Sequence, residues 1–244
     1  MKSRIPDGHW LITRACAHRG LHGNDVPENS IFAFEKAIEN GYPIETDVQL
    51  TKDLVPVCFH DDHLDRMTGF SSRIWDVDYA DLQKLRLANS EQKIPTFEEF
   101  LKLVDGKVPI LIEIKTQPHN KEVCQKVVDL LKGYKGEFAI QSFDPRVMGE
   151  IKKLNPEILR GQLMDKDRHE GVSWLVDFML SNGFLNFLSK PDFINVNHKY
   201  LPLGKRLARG KKVLCWTVRC QEEEQKALPF VQGYVFENIT PKLK

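Results

Sequence analysis

Two strand-like runs, Ile44-Glu45-Thr46-Asp47-Val48-Gln49-Leu50 and Val55-Pro56-Val57-Cys58-Phe59-His60, are separated by only Thr51-Lys52-Asp53-Leu54. Parallel neighbours need a dozen or more connecting residues, so this spacing predicts an antiparallel hairpin. With Lys52 and Asp53 as its central residues, Thr51 pairs with Leu54, and counting outward sets Glu45 opposite His60 and Asp47 opposite Cys58. Pro56 has no backbone donor and suits an edge strand, so the second run reads as an arm projecting beyond the main sheet.

Around the hairpin, short runs rich in Val, Ile, Phe and Leu alternate with stretches of helical period. Strands are expected near 15–18, 44–48, 108–114, 138–143, 158–163, 193–197, 213–218 and 234–237. The total is about eight, the number that closes a β/α barrel. The first helix is the clearest: Asn29 or Ser30 can cap it, Phe34, Ala37 and Ile38 give a stripe, and Gly41 can end it. Further helices are expected near 96–104, 121–131, 146–154, 173–188 and 221–228, and the stretch from 61 to about 95 reads as an insertion after the hairpin. No Gly/Ser-rich or Pro-rich linker divides the chain, so one α/β domain over 1–244 is expected.

Composition agrees with a folded enzyme-sized domain. Of 244 residues, 41% are hydrophobic and 28% charged, enough apolar material for a sizeable core. Lys plus Arg number 35 against 34 Asp plus Glu, a balance that gives no electrostatic reason to expect nucleic acid or an anionic membrane as partner. The cysteines, at 16, 58, 124, 215 and 220, have no framework spacing and read as free thiols in a reducing compartment. Trp10-Leu11-Ile12 is too short for a signal-peptide core, and no run approaches membrane-spanning length. The expectation is a soluble cytoplasmic protein with a small-molecule substrate.

Residues two apart in a strand share a face, so Glu45 and Asp47 point together, and Glu113 and Lys115 do so near the end of a later strand. Any one of these carboxylates could be a solvated rim charge. Three together repel unless a cation lies between them, and a hard divalent ion with oxygen ligands is the common solution. His18 ends the first strand in Cys16-Ala17-His18-Arg19-Gly20, and His60 ends the hairpin. Two imidazoles beside carboxylates suit acid and base roles near neutral pH, while Arg19 and Lys115 suit phosphoryl oxygens. Phe143 and Trp216, at strand ends, are either core residues or contacts for the apolar part of a substrate. The apolar segment 174–188 reads either as a helix packed on the barrel or as a lid or lipid-contact patch.

His18-Arg19-Gly20, Pro27-Glu28-Asn29-Ser30, Glu45-Thr46-Asp47, His60-Asp61 and Glu113-Ile114-Lys115, in that order and spacing, resemble the bacterial type of the glycerophosphodiester phosphodiesterase family. Weaker similarity runs through Leu64-Asp65-Arg66-Met67-Thr68-Gly69, Ser142-Phe143-Asp144-Pro145 and Trp216-Thr217-Val218, so that the likeness covers nearly the whole chain. The resemblance implies a TIM barrel with a small insertion after the hairpin histidine. It also implies a divalent metal (magnesium, calcium or manganese) on Glu45, Asp47 and Glu113, with His18 and His60 as acid and base. The implied reaction is hydrolysis of glycerophosphodiesters to glycerol 3-phosphate and an alcohol, through either a cyclic phosphate or direct attack by water. Two departures stand out: Asp53-Leu54 replaces the usual Asp-Gly turn, and Val235-Phe236-Glu237-Asn238 replaces the usual polar ending. The competing enzymatic reading is a phosphodiester lyase, similar to bacterial phosphatidylinositol phospholipase C or spider-venom phospholipase D, or a lysophospholipase D acting on a phospholipid or lysophospholipid. A binding-only barrel is disfavoured, because both histidines and all three carboxylates are present.

Overall fold

The computed structural model describes residues 4–23, 25–166 and 173–243, apart from the side chains at 203–205. The chain divides into two compact units, Cys16–Phe138 and Met1–Ala15 with Ala139–Lys244. Among the described residues no helix is long and apolar enough to cross a membrane.

The first unit runs β1 (Cys16–Ala17), α1 (Ile31–Glu39), β2 (Ile44–Leu50), β3 (Pro56–Cys58), an insertion, α2 (Phe97–Val104), β4 (Ile110–Ile114) and α3 (Asn120–Leu131). Ser30 caps α1 by accepting the Ala33 N–H at 3.1 Å, and Ala33, Phe34 and Ala37 form its buried face. α2 begins with a capping box between Thr96 and Glu99. β2 is buried along its whole length and pairs in parallel with β1 and β4, placing Asp47 beside Glu113.

β2 also pairs antiparallel with β3, as expected, but one residue out of the expected register. The partners are Val48 with Cys58, Gln49 with Val57 and Leu50 with Pro56. The loop holds three residues: Leu54 N–H donates to Thr51 O at 3.0 Å, Thr51 N–H donates to Val55 O at 3.1 Å, and Leu54 is left-handed at φ 61°. A turn followed by a left-handed residue is the usual three-residue hairpin, and its extra residue moves Cys58 from Asp47 to Val48. Nor is β3 a free arm. Its other edge is covered, with Cys58 N–H donating to Pro95 O at 2.9 Å and Val57 bridged to Thr96. The insertion has a small core of its own, in which Leu64, Met67, Ile74, Leu82, Leu87 and Ile94 pack on Val57 and Phe59.

The second unit alternates β5 (Phe138–Ser142), α4 (Pro145–Leu154), β6 (Arg160–Met164), α5 (Trp174–Ser181), β7 (Phe193–Asn197), α6 (Leu201–Leu207), β8 (Lys212–Val218), α7 (Gln221–Ala227) and β9 (Gly233–Phe236). Its strands pair in parallel in sequence order. The single helix expected over 173–188 is broken: Gly183 is left-handed at φ 67°, and a second short helix follows at Asn186–Ser189. α5 buries none of its residues, with Trp174 73% exposed, whereas the short helix after it buries Ser189. The α6 helix carries no signal that sequence reasoning detected.

Candidate active site

β2 presents Glu45, Asp47 and Gln49 on one face, all buried. The parallel register brings Glu113 alongside, and Glu45, Asp47 and Glu113 each offer an oxygen within 4.8 Å of the others. Burial, and then the nearby Asp47 and Glu113, push the Glu45 carboxyl well above the usual carboxylate range, against the opposing influence of Arg19. Asp47 goes the other way. Burial pushes it up but is outweighed by His60, Lys115, Arg19 and a hydrogen bond from Asn29, which hold it below its ordinary value. Lys115 Nζ lies 2.8 Å from Glu113 Oε1 and 3.7 Å from Asp47 Oδ1, and Arg19 Nε lies 3.3 Å from Asp47 Oδ2. Three carboxylates against two cations leave one formal negative charge uncompensated, which agrees with the raised Glu45. An all-oxygen donor set with surplus negative charge fits a hard divalent cation.

The loop after β1 carries Arg19 to this cluster, with His18 one residue before it in the chain. Arg19 is left-handed at φ 52°, and its N–H donates to Glu45 Oε2 at 3.1 Å. Gly20 follows at φ 80°, where a Cβ would come within 2.8 Å of the Ala33 backbone, so the loop can lie against the first turn of α1 only as glycine. The His18 and His22 rings lie 6.2 Å apart between centroids. Arg19 Nη1 donates to Glu28 Oε1 at 2.7 Å, so much of the guanidinium is engaged by Glu28 and Asp47.

Asn29 joins this loop to β2. Its N–H donates to Arg19 O at 2.9 Å, its Nδ2 donates to Asp47 Oδ2 at 2.9 Å, and its Oδ1 accepts from Thr46 Oγ1 at 2.8 Å. The sequence offers Asn29 as a helix cap and as part of the Pro27-Glu28-Asn29-Ser30 motif, without giving it a contact; Ser30 is the cap, and Asn29 instead orients Asp47.

His60 lies beyond the end of β3, where strand alternation no longer dictates its direction. Gln49 holds the segment instead: its Nε2 donates to Phe59 O, His60 O and Asp61 O at 3.0, 3.0 and 2.9 Å. The period-two position of Gln49 with Glu45 and Asp47 was the available signal for this contact. His60 Nδ1 lies 2.6 Å from Asp61 Oδ1, and Arg66 Nε donates to Asp61 Oδ2 at 2.5 Å. Phe143 and Trp216, in the second unit, are half-buried and meet edge to face at 5.5 Å, so neither is a fully buried core residue. Glu237 lies 3.3 Å from Arg219 in an ion pair.

Residues 18–231 match the family described as the glycerophosphoryl diester phosphodiesterase family. A glycerophosphodiester phosphodiesterase of Caldanaerobacter subterraneus is 30% identical over 89% of this chain and 90% of its own. The human glycerophosphodiester phosphodiesterase 1 is 27% identical over 86% and 73%. Among solved structures, an Oleispira antarctica phosphodiesterase in complex with the product sn-glycerol-3-phosphate superposes with a TM-score of 0.77 at 24% identity, covering 93% of each chain. A glycerophosphodiester phosphodiesterase of Thermotoga maritima superposes at 0.71 with 26% identity, over 92% of this chain and 94% of that one. The fold class is the TIM (β/α)8 barrel.

Proposed function

Because the chain belongs to the glycerophosphoryl diester phosphodiesterase family, and is thus a phosphoric diester hydrolase, we propose that it releases sn-glycerol 3-phosphate and an alcohol from glycerophosphodiesters in a reaction that needs a divalent cation. The observation that carries this reading is the buried meeting of Glu45, Asp47 and Glu113 beside Lys115 and the His60–Asp61 pair. Glu45, Asp47 and Glu113 would hold magnesium, calcium or manganese. When bound, such an ion supplies charge neutralisation at a phosphate oxygen.

The remaining work falls to the chain's own groups. Lys115 holds a phosphoryl oxygen from its place beside Glu113. Arg19 keeps Glu45 and Asp47 in position, and phosphate contact is its lesser role. One of His18 and His60 accepts the proton of the attacking hydroxyl, from water or the neighbouring glycerol oxygen, and the other protonates the leaving alkoxide as its P–O bond breaks; where the glycerol oxygen attacks, the product is a cyclic phosphate, which water then opens to glycerol 3-phosphate with the two histidines in exchanged roles. The agreement with the Oleispira antarctica enzyme, whose structure holds sn-glycerol-3-phosphate, supports that product class.

The test is release of glycerol 3-phosphate from glycerophosphocholine, glycerophosphoethanolamine and lysophospholipids, with chelator and then each metal restored. Loss with chelator and recovery with one of the three ions is expected. Activity untouched by chelator would overturn the metal site, and a cyclic phosphate that persists in the phosphorus NMR spectrum would overturn hydrolysis in favour of a lyase. His18→Ala and His60→Ala should each lower kcat by about 10²- to 10⁴-fold in folded protein, and near-normal turnover in both would remove the acid and base assignment.

A further inference from the structure

Arg66 belongs to the insertion, on the helical turn Asp65–Thr68, and is held by a turn that packs through Leu64 and Met67 into the insertion's own core. Its guanidinium faces two carboxylates at once. Toward Asp61, Nε donates to Oδ2 at 2.5 Å and Nη2 to Oδ1 at 3.1 Å. Toward Glu28, Nη2 donates to Oε1 at 2.5 Å and Nη1 to Oε2 at 3.2 Å. Glu28 Oε1 also accepts from Arg19 Nη1 at 2.7 Å, so an unbroken series of charged contacts runs from His60 through Asp61, Arg66 and Glu28 to Arg19.

Glu28, His60 and Asp61 also lie close enough together to hold a metal. The arginines argue against that use, since every carboxylate oxygen of Glu28 and Asp61 already accepts a hydrogen bond from Arg66. What the geometry fixes is the imidazole. An ionised carboxylate can only accept, so a neutral His60 ring at 2.6 Å from Asp61 must carry its proton on Nδ1. Asp61 is kept ionised: burial pushes its carboxyl up, but hydrogen bonds from His60 and Arg66 outweigh burial and hold it well below the usual range.

We propose that Arg66 is a positioning residue for the reaction: by gripping Asp61 with its fork it fixes the His60 ring with Nδ1–H toward Asp61 and leaves Nε2 as the nitrogen that exchanges the reacting proton. This rests on the assignment of His60 above. It adds that the insertion supplies the lock for the histidine, while Gln49 holds the backbone of the same segment through its carbonyls. A buttressing carboxylate that sets tautomer and ring orientation follows the same logic as the orienting acid of a hydrolase triad. The planar fork explains why arginine stands here, since an ammonium cannot grip two carboxylates in this way.

The experiment compares the wild type, Arg66→Gln, Arg66→Lys, His60→Ala and the Arg66→Gln/His60→Ala double variant, assayed with the restored metal. Partners that fix a histidine's orientation at metal sites are worth roughly 10- to 100-fold, and Arg66→Gln should lose kcat on that scale with KM nearly unchanged. Arg66→Lys should recover part of the loss, and Arg66→Gln should add nothing once His60 is gone. Nitrogen-15 spectra of the histidines, taken where the ring is neutral, should show His60 protonated at Nδ1 in the wild type and a mixture of tautomers in Arg66→Gln. An unchanged kcat in Arg66→Gln alongside an inactive His60→Ala overturns this proposal alone. A raised KM at constant kcat, an equal loss in the His60→Ala background, or an Nε2-protonated His60 in the wild type also overturns it. Near-normal turnover in His60→Ala instead removes the role of His60 itself.

Discussion

The carboxamide of Asn29 donates a 2.9 Å hydrogen bond to the carboxylate of Asp47, 18 residues away in sequence. Both groups are buried, and the Asn29 oxygen is taken by Thr46, so the amide is fixed at both ends. The loop before α1 thereby sets the direction of one carboxylate in the acid cluster.

Replacing Asn29 with Ala leaves the Thr46 hydroxyl and one Asp47 oxygen without this partner and puts a side chain other than Asn or Gly at φ 53°. A buried group left unsatisfied costs about 1–3 kcal/mol, so a loss of that size is expected in urea unfolding, with weaker metal binding by calorimetry. Asn29→Asp sets a further carboxylate against Asp47 and leaves no donor to aim it, so the chelated protein should lose more stability than it does in Asn29→Ala. Unaltered metal affinity in both variants would contradict the orienting role.

Gln49→Leu keeps the side chain's bulk and removes the donor shared by three consecutive carbonyls. The expected result is a loss of about 1–3 kcal/mol together with a fall in kcat, because the His60 segment is no longer anchored to β2. A stability loss without any change in kcat would mean that Asp61 and Arg66 suffice to place His60.

Leu54 occupies the left-handed position of the hairpin loop. Such a conformation costs an L-residue roughly 1–2 kcal/mol, part of which glycine would return through its larger unfolded-state entropy. Leu54→Gly should therefore stabilise the protein by about 0.5–1 kcal/mol and leave turnover alone. A lower denaturation midpoint would show that Leu54 packing outweighs the backbone strain.

Glu45 gives a pH signature. Its folded pKa is raised above the unfolded value of about 4.3 by burial and then by Asp47 and Glu113. A carboxyl raised in the folded state favours folding in its neutral form, and that contribution is lost as pH rises through the folded value. Chelated protein should melt at lower temperature as pH increases over this window, and Glu45→Gln should flatten the dependence and raise the melting temperature of the chelated protein at neutral pH. Identical pH profiles for the chelated wild type and Glu45→Gln would count against the crowded carboxylates.

Much of the site was legible in one dimension because a strand repeats every two residues. That period alone puts Glu45 and Asp47 on one face, and the order of motifs from His18 to Lys115 is specific enough to carry the family. The helix at Ile31–Glu39 was equally readable from its cap and apolar stripe. Where the reading failed, the information was not local. The hairpin loop gained a residue because Leu54 is left-handed, a conformation that leucine does not advertise, and a one-residue change shifts the register of every pair beyond it.

The sequence by itself determined the alternation of strands and helices, the family, and the residue types gathered for phosphodiester chemistry. Only the tertiary structure decided that His60 is held from two sides, by Gln49 on its backbone and by Asp61 with Arg66 on its ring, and that Asn29 aims Asp47. The physical reason is that hydrogen bonds between loops depend on angles set by packing, here the insertion's core beneath Arg66 and the close approach of Gly20 to α1, and no periodicity in the chain records those angles.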